Sequence, residues 1–344
     1  MPVSGDVTPF KLGTFSAAGS APFAGLVVGE RAMALRAAAV LMRNERLDSS
    51  ATASVLALLE DWPNHFPILQ RMAHAMAEQR TPEWANASVP IAALTFHPPV
   101  NLPRQIFCSG ANYKKHVVDI IVAQPLAETQ HLSVEERRAY GVKKMEDRAA
   151  SGTPFFFIKA QSAATGPYDP IVLPFDAKQP DWELELAVVI GRRAHRVSRR
   201  DALSYVAGYT IVNDLTTREK VSRKEGDMRE LGMDWIACKC SPTFLPMGPY
   251  LVPAAFVNDP QQLQVTLKLN GETMQNESTE DMIFGVARLI EALSATCVLQ
   301  PGDLICTGSP SGNGVHYGRF LQPGDVMEGT ITGLGAQRNS CIAE

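Results

Sequence analysis

The sequence lacks an apolar run long enough to cross a bilayer, since no uninterrupted stretch approaches the roughly 20 residues that a membrane-spanning helix needs. The first residues, Met1 to Lys11, contain no basic region followed by an apolar one, so no signal peptide is evident. Positive charge is not in excess either, because the formal net charge is −4 and no basic run occurs. These absences argue against membrane and nucleic-acid partners, and we expect a cytoplasmic protein.

Cysteine is also scarce, with 6 residues in a chain of 344. So few cysteines at irregular spacing cannot form the disulfide framework of a small secreted protein. Cys238 and Cys240 form a Cys-x-Cys pair, but no second Cys or His pair stands at the distance that a zinc knuckle requires. We therefore expect reduced thiols.

Glycine and proline are plentiful, at 25 and 24 residues, and favour a turn-rich β architecture over a helical bundle. Phe10 to Glu30 shows a strand-turn-strand pattern. Arg31 to Met42 and Ser54 to Met76 carry apolar residues at helical spacing. The prolines of Pro90 to Pro103 predict an extended linker, and we place a domain boundary there.

From Gln105 onward, short apolar runs alternate with turn signals, which is typical of a β domain. Asn270-Gly271 predicts a two-residue hairpin turn. The predicted strands are Ile106–Ser109, Phe155–Lys159, Glu183–Ile190, Gly208–Asp214, Gln264–Leu269 and Asp303–Thr307. The fold class predicted is α+β and predominantly β, with a small α+β N-terminal domain (1–98) before a larger domain (99–344).

Two helices are predicted within the larger domain. Ser133 to Ala150 is charged and opens with a capping box formed by Ser133 and Glu136. Because it stands between two strands, the insert 127–152 is either a mobile lid or a solvated surface helix. The second helix is predicted over Thr279 to Leu293, after a capping-type residue.

Three carboxylates give the sharpest chemical signal. Glu183 and Glu185 alternate with leucines in an otherwise apolar strand, so they share one face of a strand that is buried on both sides. Asp214 ends another apolar strand. Three buried acidic side chains without His or Cys suit a hard cation such as Mg²⁺, Mn²⁺ or Ca²⁺. The alternative is that the glutamates form ion pairs with arginines such as Arg192 or Arg193.

A histidine follows an earlier strand. The strand stops at Gly110 and a helix is predicted to begin near Tyr113, which puts His116 and Asp119 three residues apart on one helical face. A carboxylate that orients an imidazole is the usual support of a general base. A surface ion pair is the alternative.

Taken together and in this order, these segments resemble the fumarylacetoacetate hydrolase family. The resemblance runs from about Pro103 to the C-terminus, and the number of ordered motifs makes it specific. The matching segments are Ser109-Gly110-Ala111-Asn112-Tyr113 through His116, Pro154 to Lys159, Gly166-Pro167 through Pro174, Asp181 to Gly191, Gly208 to Arg218, Lys239 through Thr243-Phe244 to Pro249, Asn270-Gly271-Glu272, Gln300 to Asp303, Thr307 to Pro310, and Gly324-Asp325.

The resemblance implies a mixed β-sheet roll, often preceded by a small N-terminal domain, and a homodimer. It implies that Mg²⁺ or Mn²⁺, with Ca²⁺ as an alternative, is bound by Glu183, Glu185 and Asp214 and chelates a small anionic keto acid. Lys239 then corresponds to the active-site lysine that stabilises an enolate. The positions implied to contact substrate are Tyr113, Arg218, Thr243 and Thr307.

The resemblance also assigns His116 and Asp119 to the dyad that activates water in family hydrolases. The predicted activity is metal-dependent hydrolysis of a C–C bond in a β-diketo acid of the acylpyruvate or fumarylacetoacetate type, as in aromatic catabolism. The alternatives are decarboxylation of an oxaloacetate-type acid, isomerisation or hydration of unsaturated keto acids, and, from a different class, ligand binding without catalysis.

The chain departs from the family pattern at several positions. Asp119 stands where relatives often have Glu, Val221 where Gln is common, and Pro242 where an Asp precedes Thr-Phe. Extra residues between Arg218 and Lys239 include the charged run 223–230. We expect this segment, 222–233, and the insert 127–152 to set substrate selectivity.

Overall fold

The strand Leu184–Ile190 lies inside the central sheet, and all seven of its residues are buried, as its two apolar faces predict. It pairs in antiparallel register with Val206–Asn213 on one side and with Leu304–Cys306 on the other. This computed structural model describes residues 7–42, 47–79, 81–123, 127–223 and 232–344. In strand order, the central sheet is Val252–Pro253, Val206–Asn213, Leu184–Ile190, Leu304–Cys306, Ile106–Gly110 and Phe155–Ile158.

The central sheet is mixed, because Leu304–Cys306 runs parallel to Ile106–Gly110 while its other strand pairs are antiparallel. The predicted strands in this sheet agree with the observed ones to within one or two residues at each end. One difference bears on the site. Glu183 lies just before the strand, which begins at Leu184, so only Glu185 belongs to the regular ladder.

A second sheet is built from four C-terminal strands and one strand from the middle of the chain. Its order is Glu272–Ser278, Gln264–Leu269, Val326–Ile331, Gly335–Ala343 and Ile171–Leu173, the last pair being parallel. The Asn270-Gly271 hairpin is present between the first two strands, and both turn residues have positive φ, 52° and 86°, as the tight turn requires. Two short pairs join Pro180–Asp181 to Thr216–Thr217 and Leu245–Pro246 to Ala164–Thr165.

The N-terminal sheet has the order Ser88–Pro90, Arg31–Ala34, Phe23–Val28, Lys11–Ser16 and Thr95–His97. Thr95–His97 pairs with Lys11–Ser16, so part of the proline-rich stretch belongs to this sheet, and the extended linker predicted over Pro90 to Pro103 was wrong for that part. The apolar cluster of this region also includes Ala187 and Met247 from the larger part of the chain. The division at residues 98 and 99 stays a prediction.

The helices surround these sheets. Their bounds are Leu35–Leu41, Val55–Leu59, Trp62–Ala77, Pro82–Ala87, Lys114–Ala123, Val134–Ser151, Trp235–Lys239, Val286–Thr296 and Gly314–Tyr317. The capping box of Ser133 and Glu136 opens the sixth of them as predicted. Arg31–Ala34 was predicted as helix but is a strand. None of the helices in the described ranges is long and apolar enough to cross a membrane.

The predicted helix from Thr279 is wrong at its start. Thr279–Asp281 forms a 3-10 turn, and the α-helix begins only at Val286. The backbone between them is held by Asn112, because the N–H of Ile283 donates to its carbonyl and the N–H of Phe284 donates to its side chain. A long-range contact therefore overrides the local helical pattern. The fold as a whole is α+β and sheet-rich, as predicted.

Candidate functional site

Glu183, Glu185 and Asp214 are brought together at one end of the central sheet. Each offers a carboxylate oxygen, and these oxygens lie within 4.8 Å of one another. All three residues are buried, at 8, 2 and 1 % exposure. Antiparallel pairing of the strands produces this arrangement. Leu184 lies opposite Asn213, so the two glutamates that flank Leu184 and the aspartate that follows Asn213 lie at the same end of the sheet.

Lys239 connects two of these carboxylates. Its ammonium donates to Glu183 Oε2 and to Asp214 Oδ2, both at 2.7 Å, and to the backbone carbonyl of Asp214 at 2.9 Å. All three of its N–H donors therefore have acceptors within the protein. Burial opposes the charge of Lys239, but Asp214 and Glu183 outweigh it and raise the pKa of this amine. Lys239 is a fixed cation of the cluster.

A second buried lysine, Lys159, escaped the sequence analysis as a site residue. Its ammonium donates to Asp214 Oδ1 at 2.6 Å and to the carbonyl of Leu215 at 3.0 Å. It is 1 % exposed and follows the edge strand Phe155–Ile158. The motif Pro154 to Lys159 contained this residue, but a single lysine after a strand carries no pattern that assigns it a partner. Asp214 is thus held by two lysines.

Arg218 bridges two acidic residues at the rim of the cluster. Its Nε donates to Asp181 Oδ2 at 2.7 Å, and its Nη2 lies 2.6 Å from Glu183 Oε1. Burial alone would raise the pKa of Glu183, but Lys239 and Arg218 outweigh it and lower that pKa to about 2. The predicted alternative of pairing by Arg192 or Arg193 is wrong in its residues, because both are exposed and the partners are Lys239 and Arg218.

Glu185 is the least supported of the three carboxylates. Among the described residues, the carboxylate of Glu185 accepts a hydrogen bond from the N–H of Gly308, at 2.8 Å from its Oε2. Gly308 has φ +94°, and a side chain there would press within 3.0 Å of Asn112 and Ser109. Burial, together with the carboxylate of Asp214, raises the pKa of Glu185 well above its ordinary value. A cation beside Glu185 would relieve that cost.

The donor set fits a divalent metal. Three carboxylates that converge in a buried site without imidazole or thiolate are hard oxygen ligands, which Mg²⁺, Mn²⁺ and Ca²⁺ prefer. Four buried carboxylates in this cluster, those of Asp181, Glu183, Glu185 and Asp214, face three cationic side chains. With all four carboxylates ionised, the cluster would carry one unbalanced negative charge, which a divalent metal beside Glu185 would offset.

His116 lies on the first turn of helix Lys114–Ala123. Asn112, which precedes this helix, connects it to two other backbone segments. The side-chain amide of Asn112 donates to the carbonyls of Phe284 and Thr307, at 3.0 and 2.8 Å. His116 is buried, and its Nδ1 has no hydrogen-bond partner in the described part of the chain. Burial lowers the pKa of His116 to about 3, so the ring is neutral near pH 7. A neutral, unpartnered imidazole can accept a proton.

Asp119 does not hold His116 as the sequence predicted. Its Oδ2 accepts a hydrogen bond from the hydroxyl of Ser311 at 2.7 Å, and its Oδ1 accepts from Arg138 at 3.2 Å. The described residues show no hydrogen bond between Asp119 and His116. Spacing of three residues made the contact feasible, but the carboxylate is directed to Arg138 on the inserted helix. The insert is thereby linked to the rim of the site.

The comparison with known families decides the identity of this arrangement. The model of the fumarylacetoacetate (FAA) hydrolase C-terminal domain matches residues 105–342. The chain belongs to the fumarylacetoacetate hydrolase family. The matched region contains the carboxylate cluster, both buried lysines, Arg218 and His116.

Similar members of this family differ in activity. The chain is 35% identical over 256 residues to the mitochondrial oxaloacetate tautomerase FAHD2A of Bos taurus, covering 74% of this chain and 71% of the relative. It is 44% identical over 188 residues to the 2,4-didehydro-3-deoxy-L-rhamnonate hydrolase of Sphingomonas sp. (strain SKA58), covering 54% of this chain and 64% of the relative. The family members of known activity to which it is similar are therefore enzymes, but their reactions are not the same.

A solved structure shows the same fold. The maleylpyruvate hydrolase from Sphingobium sp. SYK-6, in complex with manganese(II) ion and pyruvate, superimposes with a TM-score of 0.67 at 24% identity. The superposition covers 97% of this chain and 99% of that chain. This likeness establishes the family fold, including its mixed sheets, over nearly the whole length.

The positions that the family resemblance assigned to substrate lie at different places. Tyr113 is fully buried, and burial together with Glu185 raises its pKa, an effect that a contact with the side chain of Thr307 opposes. The hydroxyl of Thr307 donates to the carbonyl of Leu186 at 2.9 Å. The hydroxyl of Thr243 accepts from the N–H of Val172 at 2.9 Å. Both threonines thus bond to neighbouring strands in this structure.

Two further expectations concern segments around the site. The inserted helix Val134–Ser151 is ordered against helix Lys114–Ala123, and the side chain of Arg137 bonds to the carbonyls of Leu132 and Val122. Whether it moves as a lid stays a prediction. Most of the charged segment before Lys239, residues 224–231, lies outside the described residues.

Proposed function

We propose that this protein is a metal-dependent hydrolase that cleaves a C–C bond in a small β-diketo acid of the acylpyruvate type. One observation carries the proposal. A neutral, buried histidine with an unpartnered nitrogen, His116, lies in the electrostatic field of Glu183 and Arg218, at the edge of a carboxylate cluster suited to a divalent metal. Such a base beside a metal site suits the activation of water.

Glu183, Glu185 and Asp214 are the proposed ligands of Mg²⁺ or Mn²⁺, with Ca²⁺ as the alternative. A divalent ion there would bind the keto and carboxylate oxygens of the substrate and polarise the carbonyl as a Lewis acid. The manganese(II) and pyruvate of the maleylpyruvate hydrolase structure agree with this choice of ion and with an α-keto acid at the site. The excess negative charge of the cluster supports a cation together with one anionic ligand.

His116 is the proposed general base. It takes a proton from water, whose oxygen bonds to the distal carbonyl carbon of the diketo acid. The bond between that carbon and the neighbouring CH₂ then breaks, and its electron pair stays on the CH₂ carbon as an enolate. A proton returned to this carbon from His116 completes the reaction, so one water is consumed and a carboxylic acid and a 2-keto acid are released.

The cationic residues are proposed to hold the negative charge of the reaction. Lys239 donates to Glu183 and Asp214 here, and it would have an N–H donor for the enolate if a metal were bound by the oxygens of these two residues. Lys159 keeps Asp214 in place during this exchange. Arg218 orients Glu183 and contributes positive charge for an anionic substrate. Tyr113, Thr243 and Thr307 stay proposed substrate contacts, and a homodimer stays the proposed assembly.

A relative that is 44% identical over 188 residues supports hydrolysis. Its name describes a hydrolase of an acid that is oxidised at carbons 2 and 4 and deoxygenated at carbon 3, which is the pattern of a β-diketo acid. The match to this relative extends over 54% of the present chain. We propose the same type of reaction for the present chain, but not the same sugar acid as its substrate.

A second candidate is keto–enol conversion or decarboxylation of an oxaloacetate-type acid. The similarity to an oxaloacetate tautomerase, at 35% identity over a longer stretch, favours it. That chemistry uses the same proposed metal and Lys239 but needs no attacking water. Isomerisation of unsaturated keto acids would likewise dispense with a water-activating base.

The deciding experiment follows the ultraviolet absorbance of the enolised diketone for a panel of acylpyruvates, and that of oxaloacetate, with Mg²⁺, Mn²⁺ or chelator. Wild type, His116→Gln and the exposed-histidine control His195→Gln are compared. Metal-dependent acylpyruvate cleavage that is lost only in His116→Gln supports hydrolysis. Oxaloacetate conversion that persists in His116→Gln, without acylpyruvate cleavage, supports the second candidate. If no substrate is turned over with any metal, ligand binding without catalysis is the remaining candidate function.

A further inference from the structure

A second histidine, His316, lies beside His116 and has no role in the mechanism described so far. It belongs to the short helix Gly314–Tyr317, which ends the loop that follows the strand Leu304–Cys306. Its Nδ1 accepts hydrogen bonds from the backbone N–H groups of Gly312 and Asn313, both at 3.1 Å. A ring nitrogen that accepts two hydrogen bonds carries no proton. In the neutral ring, the proton must therefore be on Nε2.

That Nε2–H makes no hydrogen bond of ordinary geometry. The nitrogen is buried and lacks such a bond within the described ranges of the chain, although the backbone of His116 lies close enough to the ring to act on its pKa. A buried donor left unpaired costs on the order of 1–3 kcal/mol, so such groups in native proteins commonly meet a water or a ligand. Burial lowers the pKa of His316, which keeps the ring neutral, while the two N–H donors to Nδ1 fix its tautomer.

The donor stands next to the proposed base. The two imidazole rings are 5.2 Å apart between centroids and cross at 83°, edge to face. His316 lies in the field of Asp119, Asp181 and Arg218 and is therefore on the rim side of the carboxylate cluster. The buried hydroxyl of Tyr113 differs from this nitrogen, because it contacts Thr307 and lies in the field of Glu185, at the metal end, and of Asp281.

We propose that His316 donates a hydrogen bond from Nε2 to the oxygen of the carbonyl that the water attacks. This inference rests on the proposed hydrolysis and adds a catalytic residue to it. The attacked carbonyl is distal to the keto-carboxylate that a metal at the cluster would hold, so its oxygen needs a donor of its own. A neutral imidazole that is held by two backbone N–H groups is pre-oriented for that task. Its ring is in contact with the ring of His116, the proposed base that activates the water.

The proposal also states a substrate requirement. His316 as a donor requires an oxygen acceptor at the distal end, so a 2,4-dicarbonyl acid fits the site in full, whereas a 2-keto acid alone fills the metal end only. Pyruvate is therefore a probe of the metal end that does not reach His316.

The test compares His316→Phe, which keeps an aromatic ring but removes the donor, with His316→Gln, whose amide can donate from a similar position. Cleavage of acetylpyruvate, inhibition by pyruvate and binding of Mn²⁺ are measured for each. Tyr317→Phe, which removes only the hydroxyl bond to the carbonyl of Met274, controls for disturbance of the short helix.

We expect His316→Phe to lower kcat by roughly 10²–10³-fold, the loss typical of a deleted oxyanion donor, with KM changed far less. We expect His316→Gln to recover at least tenfold of that loss, and the inhibition constant of pyruvate and Mn²⁺ binding to stay unchanged in both variants. Tyr317→Phe is expected to behave as wild type.

Two results would overturn the inference. If His316→Phe retains kcat within about threefold of wild type, the donor has no part in the transition state. If both His316 variants lose pyruvate and Mn²⁺ binding together with activity, the residue only supports the loop. A wild-type protein that does not cleave acylpyruvates at all would instead refute the proposed hydrolysis, and the donor role with it.

Discussion

The ammonium of Lys159 lies 2.6 Å from Oδ1 of Asp214, and both side chains are buried at 1 % exposure or less. An ion pair at this depth leaves an uncompensated charge when one partner is removed, a loss that typically costs 3–5 kcal/mol. Lys239 shares the other oxygen of Asp214, so the loss is partly offset.

Lys159→Met is therefore expected to lower the free energy of unfolding by about 3 kcal/mol in the presence of chelator. Added Mn²⁺ should restore more stability to this variant than to wild type, because the metal takes over the charge that Lys159 neutralised. Denaturant unfolding with and without Mn²⁺ measures both effects. Lys220→Met removes a half-exposed pair with Asp176 and serves as the control, with an expected change of less than about 1 kcal/mol. Equal metal effects in all three proteins would contradict the account.

Glu185 and Glu183 are expected to respond to amide substitution with opposite signs. The pKa of Glu185 is raised in the folded protein, so its folded pKa exceeds the unfolded one and stability is lost as pH rises through the folded value. Glu185→Gln removes this loss and should increase the free energy of unfolding at pH 7 in chelator. Glu183→Gln should decrease it, because Lys239 and Arg218 lose their acceptor.

Thermal unfolding in chelator and in Mn²⁺ tests this pair. Both variants should lose the stabilisation that Mn²⁺ gives to wild type, since each lacks one carboxylate of the cluster. Glu272→Gln, at an exposed hairpin position, is the control. A Glu185→Gln protein that is less stable in chelator would contradict the raised pKa of Glu185, and one that keeps the full response to Mn²⁺ would refute the assignment of this carboxylate as a metal ligand.

His116 gives stability a dependence on pH. Its pKa is about 3 when folded, below its ordinary value near 6.5, so the unfolded chain binds a proton that the folded one does not. Its contribution is present above pH 6.5 and is lost as pH falls from there toward 3, by at most 1.4 kcal/mol per unit. Between pH 6.5 and 4.5, the unfolding free energy of His116→Gln should therefore decrease by about 2 kcal/mol less than that of wild type. Denaturant titrations at several pH values, with His195→Gln alongside, would show equal slopes if His116 titrates normally.

The carboxylate cluster could be predicted from sequence because local rules determine it. Alternation along a buried strand places the side chain of Glu185 on one face, and a neighbouring apolar strand that ends in Asp214 adds a third oxygen donor. The hairpin at Asn270-Gly271 and the capping box at Ser133 are equally local. Each of these needs only a few consecutive residues.

The partners of these carboxylates could not be predicted in the same way. Lys159 reaches Asp214 although the strands that precede these two residues stand four places apart in the order of the central sheet, and no spacing between residues 159 and 214 signals the contact. His316 sits in a loop whose position depends on Asn112 and Asp181, far away in the chain. The contact expected between His116 and Asp119 failed for the same reason, since Ser311 and Arg138 compete for the carboxylate from outside the helix.

The most direct test of the central claim is cleavage of an acylpyruvate in ¹⁸O-labelled water with Mn²⁺. The account predicts that one labelled oxygen enters the released carboxylic acid, that chelator abolishes its formation, and that His116→Gln lacks it although the protein folds and binds Mn²⁺. Release of CO₂, or an acid without label, would contradict hydrolysis by a water that His116 activates.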